Sequence, residues 1–288
     1  MYRPHKPVPV LPPDTPARVL RRDDLLAAGA TGRAITRAVR EGTLLRPRRG
    51  AYLPSGCHPH AVAAARLGGR LDGTTLLARY GVFVFDGSNV HVRVDPHARA
   101  IGSDRGGALV HWAMSEAEEN ALGTTIVEAL AHAVMTQPPR MSIATLDSAW
   151  QLRLVDEVGI AEVFRRLPRR FRRLHPLLDR RAEAGTETLV RLMLRALGTR
   201  PELQAEIAGV GFVDLLVDGW LIVECDSAAH HSDWRARLRD LRRDADALAL
   251  GYTTLRLAAE DILYRPDWVM AVLRAALANR GAPLRGRS

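Results

Sequence analysis

The sequence predicts a multi-domain α/β protein, and three observations carry that expectation. A length of 288 residues exceeds one average domain and suits two or three. The last hundred residues run helix, three strands, helix, strand, helix, the order of an α/β sandwich built on a small mixed sheet. Near the other end, two short helical patterns joined by a glycine turn lead into a basic hairpin, the parts of a winged helix-turn-helix.

The elements follow in order. Residues 1–17 are Pro-rich and without periodicity, which predicts a disordered tail. Asp23 or Asp24 can cap a helix carrying Leu25, Leu26 and Ala28, stopped by Gly29. Thr31 can cap a second helix in which Ile35, Ala38 and Val39 keep helical spacing, with Arg33, Arg37 and Arg40 on other faces. Gly42 ends it, and Leu44 to Leu53 reads as a hairpin with Arg46, Arg48 and Arg49 at its tip. An α+β middle region is expected over 56–164: a helix over 60–71, strands at Val90–Val94 and Ala108–Trp112, and helices over 124–136 and 142–154. An Arg-rich connector over 165–182 follows, broken by Pro168 and Pro176. A C-terminal module spans 183–282, with a short tail at 283–288. In it, Thr186–Leu197 is an amphipathic helix, and strands lie near Leu203–Ile207, Phe212–Val217, Trp220–Asp226 and Tyr252–Leu257. The helix over about 232–250 has Leu238, Leu241, Ala245 and Leu248 as its expected buried stripe, and a last helix covers Pro266–Ala278.

Charge and composition narrow the function. Of 41 basic residues Lys6 is the sole lysine, so 40 are arginine, and the net charge is +9. Residues 18–55 carry nine Arg against three acids, and 165–181 carry eight Arg against one Asp, so the rest of the chain is net acidic. Clustered arginine predicts a polyanionic partner, with DNA first, and assigns Arg33, Arg37, Arg40, Arg46, Arg48 and Arg49 to its contact. A plain solvated helix face is the competing reading. Two distant cysteines, Cys57 and Cys225, exclude a disulfide scaffold and a zinc ribbon, and Cys57, His58 and His60 have too few companions for a metal. With no apolar run of membrane-spanning length and no signal-peptide pattern, the expected location is cytoplasmic.

Four carboxylates of the C-terminal module stand where apolar residues would cost less: Glu187, Asp214, Glu224 and Asp226. Glu224 and Asp226 are two apart on one strand and share a face. Hard oxygen donors of this kind suit Mg2+ or Mn2+, with Asp214, Glu224 and Asp226 as ligands. Ion pairs to Arg243 or Arg256 are the alternative. Strand parity sharpens the choice. A two-residue loop at Asp218-Gly219 would put Asp214 and Glu224 on opposite faces, whereas a three-residue loop, Val217-Asp218-Gly219, would put them together.

These residues carry a resemblance. Glu187, Asp214 and Glu224-Cys225-Asp226 with His230-His231 resemble the PD-(D/E)XK nuclease core, and more narrowly its branch related to very-short-patch-repair endonucleases. Arg239-Asp240-Leu241-Arg242-Arg243-Asp244, Leu248, Gly251 and Leu255-Arg256 are similar to that branch, and the likeness covers about residues 183–265. The N-terminal segment resembles the winged-helix domain of abortive-infection-type antitoxins, of type IV toxin–antitoxin systems. The first resemblance implies a restriction-endonuclease-like fold and hydrolysis of nucleic-acid phosphodiesters with Mg2+ or Mn2+ on Asp214 and Glu224. Glu187 would orient the water, and Gln204, His230 or His231 would stand near it. The family's lysine position is Asp226 here. The expectation is a metal-dependent, endonuclease-like DNA-binding protein, with RNA as a weaker substrate. The alternative is a non-catalytic antitoxin-type transcriptional regulator with a degenerate nuclease fold, binding DNA and a toxin protein.

Overall fold

A computed structural model describes residues 8–85, 87–98, 105–226 and 234–279. It is a mixed α/β protein of helices and three sheets, dividing into two compact units, Met1–His175 and Pro176–Ser288.

The first unit opens with α1 (Arg22–Ala27) and α2 (Gly32–Arg40). Asp24 Oδ2 accepts the Arg21 N–H at 2.7 Å, so Asp24 caps α1 from inside its first turn. Gly29, at φ +89°, supplies the left-handed turn between the helices. Thr31 Oγ1 accepts the Ala34 N–H and caps α2, and Ile35 is its buried anchor. Strands β1 (Leu44–Arg48) and β2 (Ala51–Pro54) pair antiparallel through Leu45↔Leu53 and Arg48↔Ala51. The register shifts between those pairs, where Pro47 has no N–H to give a ladder.

Next come α3 (Pro59–Leu67), β3 (Arg70–Leu71), α4 (Gly73–Arg79), β4 (His91–Val94), β5 (Leu109–Trp112), α5 (Ile126–Thr136), α6 (Pro139–Gln151) and α7 (Glu157–Arg166). β3 pairs antiparallel with β4, and β4 runs parallel to β5. Leu71, Leu76, Leu77, Val92, Leu130 and Leu146 are fully or almost fully buried in this unit. Neither α4 nor α7 is evident in the sequence pattern. The expected connector is correspondingly shorter, because Arg165 and Arg166 end α7, and Arg169–Leu177 coils as a 3-10 helix with Leu174 buried.

The second unit comprises α8 (Gly185–Ala196), β6 (Glu202–Ile207), β7 (Gly211–Val217), β8 (Leu221–Asp226), α9 (Trp234–Ala249), β9 (Thr253–Ala258), α10 (Ala259–Tyr264) and α11 (Pro266–Ala278). Its sheet has the order β6-β7-β8-β9, antiparallel except for the parallel pair β8–β9. Helix α8 packs on β7 and β8, and α9 packs on β9. The β7–β8 hairpin pairs Leu215↔Val223, Leu216↔Ile222 and Val217↔Leu221, leaving Asp218, Gly219 and Trp220 as the loop. The loop has the expected three residues but lies one position later, with Asp218 at φ +49° and Gly219 at φ +72°. Continued one step, that register sets Asp214 opposite Glu224.

Helix α9 corrects the sequence reading. Leu241 and Leu248 are 50% and 69% exposed, and Ala247 is the buried residue among those of α9 whose burial is described. The inward turn carries Arg243 and Asp244 as well, because the sheet beneath presents carboxylates that need a cation.

Two leucine truncations separate these roles. Leu215→Ala, at a fully buried strand position, should cost about 2–5 kcal/mol. Leu241→Ala should stay within about 0.5 kcal/mol. Urea unfolding of the full chain reads both, and a comparable loss for the two would restore the leucine stripe to the core.

Candidate functional site

The carboxylates of the second unit meet where β7 and β8 part. Asp214 Oδ2 accepts the Cys225 N–H at 2.8 Å, so a side chain takes over where the ladder ends. Asp214 and Glu224 share a side-chain hydrogen bond, which puts them on one face as the three-residue loop requires. Glu187 comes from the first turn of α8 and is 4% exposed. Its Oε2 accepts from Gln204 Nε2 and from the Glu183 N–H, each at 3.0 Å. Gln204 lies in β6 between the pairs Leu203↔Leu215 and Ala205↔Val213, hence opposite Asp214, and adopts φ +53°. A left-handed backbone at a non-glycine strand residue is strained. Here it accompanies the amide's contact with Glu187.

Electrostatics sets the protonation of this group. Burial, then the Asp214 charge, pushes the Glu187 carboxyl up to about 8, outweighing its two hydrogen bonds. Burial and the neighbouring Asp214 also raise Glu224, which makes Glu224 the proton-holding partner of the pair. Burial raises Asp214 too, against the Cys225 amide. Arg243 and Arg256 both favour the Glu224 charge, and Arg243 touches it: Nη2 lies 2.5 Å from Glu224 Oε1, with Nη1 on the Phe212 carbonyl.

Asp226 stands apart from its expected partners. Its carboxylate is 48% exposed and bound by Arg256 Nη1, while the other guanidinium nitrogens of Arg256 hold Asp244 at 2.9 and 3.0 Å. Cys225 lies between the acids, and burial pushes its thiol up, as for an inert side chain. His230 and His231 lie outside the described residues. The structure therefore brings Glu187, Gln204, Asp214 and Glu224 together and gives Asp226 to an ion pair. Arg243 is the ion-pair partner that the sequence offers, and it reaches Glu224 from the inward side of α9, where no apolar spacing marks it.

The arginines of the first unit are arranged differently. Arg33, Arg37 and Arg40 are exposed and fall on one face of α2 by helical spacing. Arg46 and Arg49 are exposed on the hairpin, and with Ile35, Thr36, Val39 and Tyr52 they line a groove of about 250 Å³ beside α2. No carboxylate pairs with any of these five among the described residues. Arg48 is tied down: its Nε donates to the Ala65 carbonyl. The other arginine-rich stretch is partly answered, with Arg165 and Arg166 held by Glu162 and Glu116. His58 and His60 are occupied locally, His58 Nδ1 accepting the His60 N–H at the start of α3. His91, His111 and His132 share no sequence motif, lie in three separate elements and meet in the first unit.

The carboxyl group predicts a pH dependence. Glu187 is raised in the folded state, so native protein holds its proton where the unfolded chain has lost it. Its contribution is intact below about pH 4.5 and is lost as pH rises to about 8. Glu187→Gln keeps both hydrogen bonds, since both end on Oε2. In metal-free buffer it should stabilise the protein by a few kcal/mol at pH 8.5 and little at pH 5. Thermal unfolding across that range checks it, and an unchanged difference between the two pH values would contradict the assigned charge state.

Comparison with known proteins bears on the first unit. No curated protein matches the chain. Residues 17–55, which contain α1, α2 and the β1–β2 hairpin, match a family model described as "Transcriptional regulator, AbiEi antitoxin".

Proposed function

We propose that this chain is a DNA-binding regulator of the antitoxin type, and that α1, α2 and the β1–β2 hairpin act as a winged helix-turn-helix. The observation that carries the proposal is the set of unanswered arginines, Arg33, Arg37, Arg40, Arg46 and Arg49, inside the segment similar to antitoxin regulators. Guanidinium groups without a carboxylate partner keep their donors for phosphate oxygens and guanine edges. In this reading α2 enters the major groove and Arg46 and Arg49 hold the flanking backbone. A toxin protein is the second partner this class implies.

A second reading, metal-dependent cleavage of nucleic acid, is favoured by Asp214 and Glu224 side by side, with Glu187 near enough to feel the Asp214 charge, on a sheet resembling a PD-(D/E)XK core. Two carboxylates with open coordination are enough for Mg2+, which completes its shell with water and phosphate. Asp214 and Glu224 fit that need as oxygen donors in hydrogen-bond contact with raised proton affinity. Such an ion supplies Lewis acidity at the phosphate. Against it, Arg243 occupies Glu224 Oε1, and Asp226 is engaged by Arg256. These contacts favour a scaffold role for the second unit.

Binding to a mixed-sequence duplex of about 30 base pairs, followed by fluorescence anisotropy at one fixed salt concentration, tests the first reading. The triple variant Arg33→Ala, Arg37→Ala, Arg40→Ala should bind at least about tenfold more weakly with unchanged thermal stability. Equal affinity would remove α2 from the interface. With Mg2+ or Mn2+, supercoiled plasmid should stay intact. Nicking that Asp214→Ala and Glu224→Ala both abolish would put cleavage first.

A further inference from the structure

The first unit carries a cluster that neither reading uses. His91 opens β4, His111 lies in β5 and His132 lies in the middle of α5. Because β4 and β5 run parallel with Arg93↔His111, His91 and His111 fall on the same face of the sheet. His91 and His132 are buried, and His111 is partly buried. Among the described residues these three form the group whose donor atoms all lie within 4.8 Å of one another. His91 Nδ1 and His111 Nε2 are 3.0 Å apart. The His91 and His111 rings lie nearly parallel at 5.2 Å, and the His132 ring crosses both, 5.3 and 4.0 Å away.

We propose that His91, His111 and His132 form a binding site for a divalent transition metal of the zinc class. Neutral imidazole nitrogen suits Zn2+, Co2+, Ni2+ and Cu2+ and is a poor ligand for Mg2+. Tetrahedral Zn–N bonds of about 2.0–2.1 Å place ligand nitrogens about 3.3 Å apart, close to the His91–His111 spacing. Three protein ligands leave the fourth position to water.

The surroundings match a histidine metal site. Asp72 is fully buried, and its Oδ2 lies 3.1 Å from His132 Nδ1. A carboxylate beside a ligating imidazole is the usual outer partner of a histidine metal site, and here Asp72 stands within ion-pair reach of the ring without the geometry of a hydrogen bond. Asp72 is itself held, Oδ1 accepting from the Gly73 N–H and Thr124 Oγ1, and Oδ2 from Arg93 Nε. Gly73 follows it at φ +52°, and a Cβ there would stand 2.7 Å from His132 Nδ1. The chain therefore passes the ring with no room for a side chain. The ion would tie α5 to the β4–β5 pair, positioning this unit independently of DNA binding or of the carboxylates in the second unit.

Full-length protein stripped with chelator and titrated with Co2+ and Zn2+ at pH 7.5 tests the site. The wild type should take up one Co2+ with the visible bands of a tetrahedral nitrogen-ligated ion, and Zn2+ should displace it while excess Mg2+ should not. Zn2+ should also raise the wild-type melting temperature. His111→Gln, at the partly buried position, should abolish the bands, and Asp72→Asn should weaken binding about 10–100-fold. A wild type that binds no Co2+ or Zn2+ would overturn the proposal, as would uptake that both His91→Gln and His111→Gln leave unchanged. If the variants fail to fold, the wild-type spectrum decides, because the weak bands of an octahedral, oxygen-ligated ion would contradict the three-histidine site.

Discussion

Arginine serves as the counter-ion throughout this protein, and that constraint organises both units. A buried carboxylate without a partner costs several kcal/mol, and the chain has almost no lysine with which to answer one. Arg93 therefore meets Asp72 and Glu128, Arg243 meets Glu224, and Arg256 bridges Asp226 and Asp244. The planar guanidinium can serve two acceptors at once, which suits the shared pairs better than an ammonium would. Once these obligations are met, exposed arginines remain on α2 and the hairpin, and their unspent hydrogen-bonding capacity is what the regulator reading rests on.

The carboxylates of the second unit show how far that pairing reaches. Arg243 contacts Glu224 and also favours the charge on Asp214, whereas among the described residues no guanidinium pairs with Glu187. The remaining charge is relieved by protons: Glu187 stays protonated at neutral pH, and Glu224 holds the proton of its pair with Asp214. Protons and guanidinium contacts thus hold these acids side by side in the sheet, at the cost of a pH-dependent stability. The same chemistry keeps a divalent cation as a competitor for those protons, which is why cleavage persists as the second reading.

Much of the architecture is legible in the sequence because local rules and the fold agree. Thr31 caps α2, Gly29 turns the chain, and β-branched runs form the strands they suggest. Parity at the β7–β8 hairpin connects loop length to the side on which Asp214 lies, and the three-residue loop accompanies the shared face. Misreadings arise where polar partners override the apolar pattern. On α9 the leucine stripe has helical spacing, but so do Arg243 and Ala247, and the acids below select the arginine side. At Asp226 the structure shows the ion pair that the sequence offers as the alternative to a metal, with Arg256, thirty residues later on the neighbouring parallel strand, on its carboxylate. The histidines have no local signature, since their contact depends on the parallel register of β4 and β5 and on the docking of α5.

If free guanidinium charge on α2 and the hairpin meets DNA phosphate, the salt dependence of binding measures that charge directly. A plot of log K against log salt for the wild type should have a slope steeper than about −4, with each neutralised phosphate contributing about −0.9. Removing Arg33, Arg37 and Arg40 together should make the slope shallower by about 3. A wild-type slope near zero, or an equal slope in the variant, would contradict that contact.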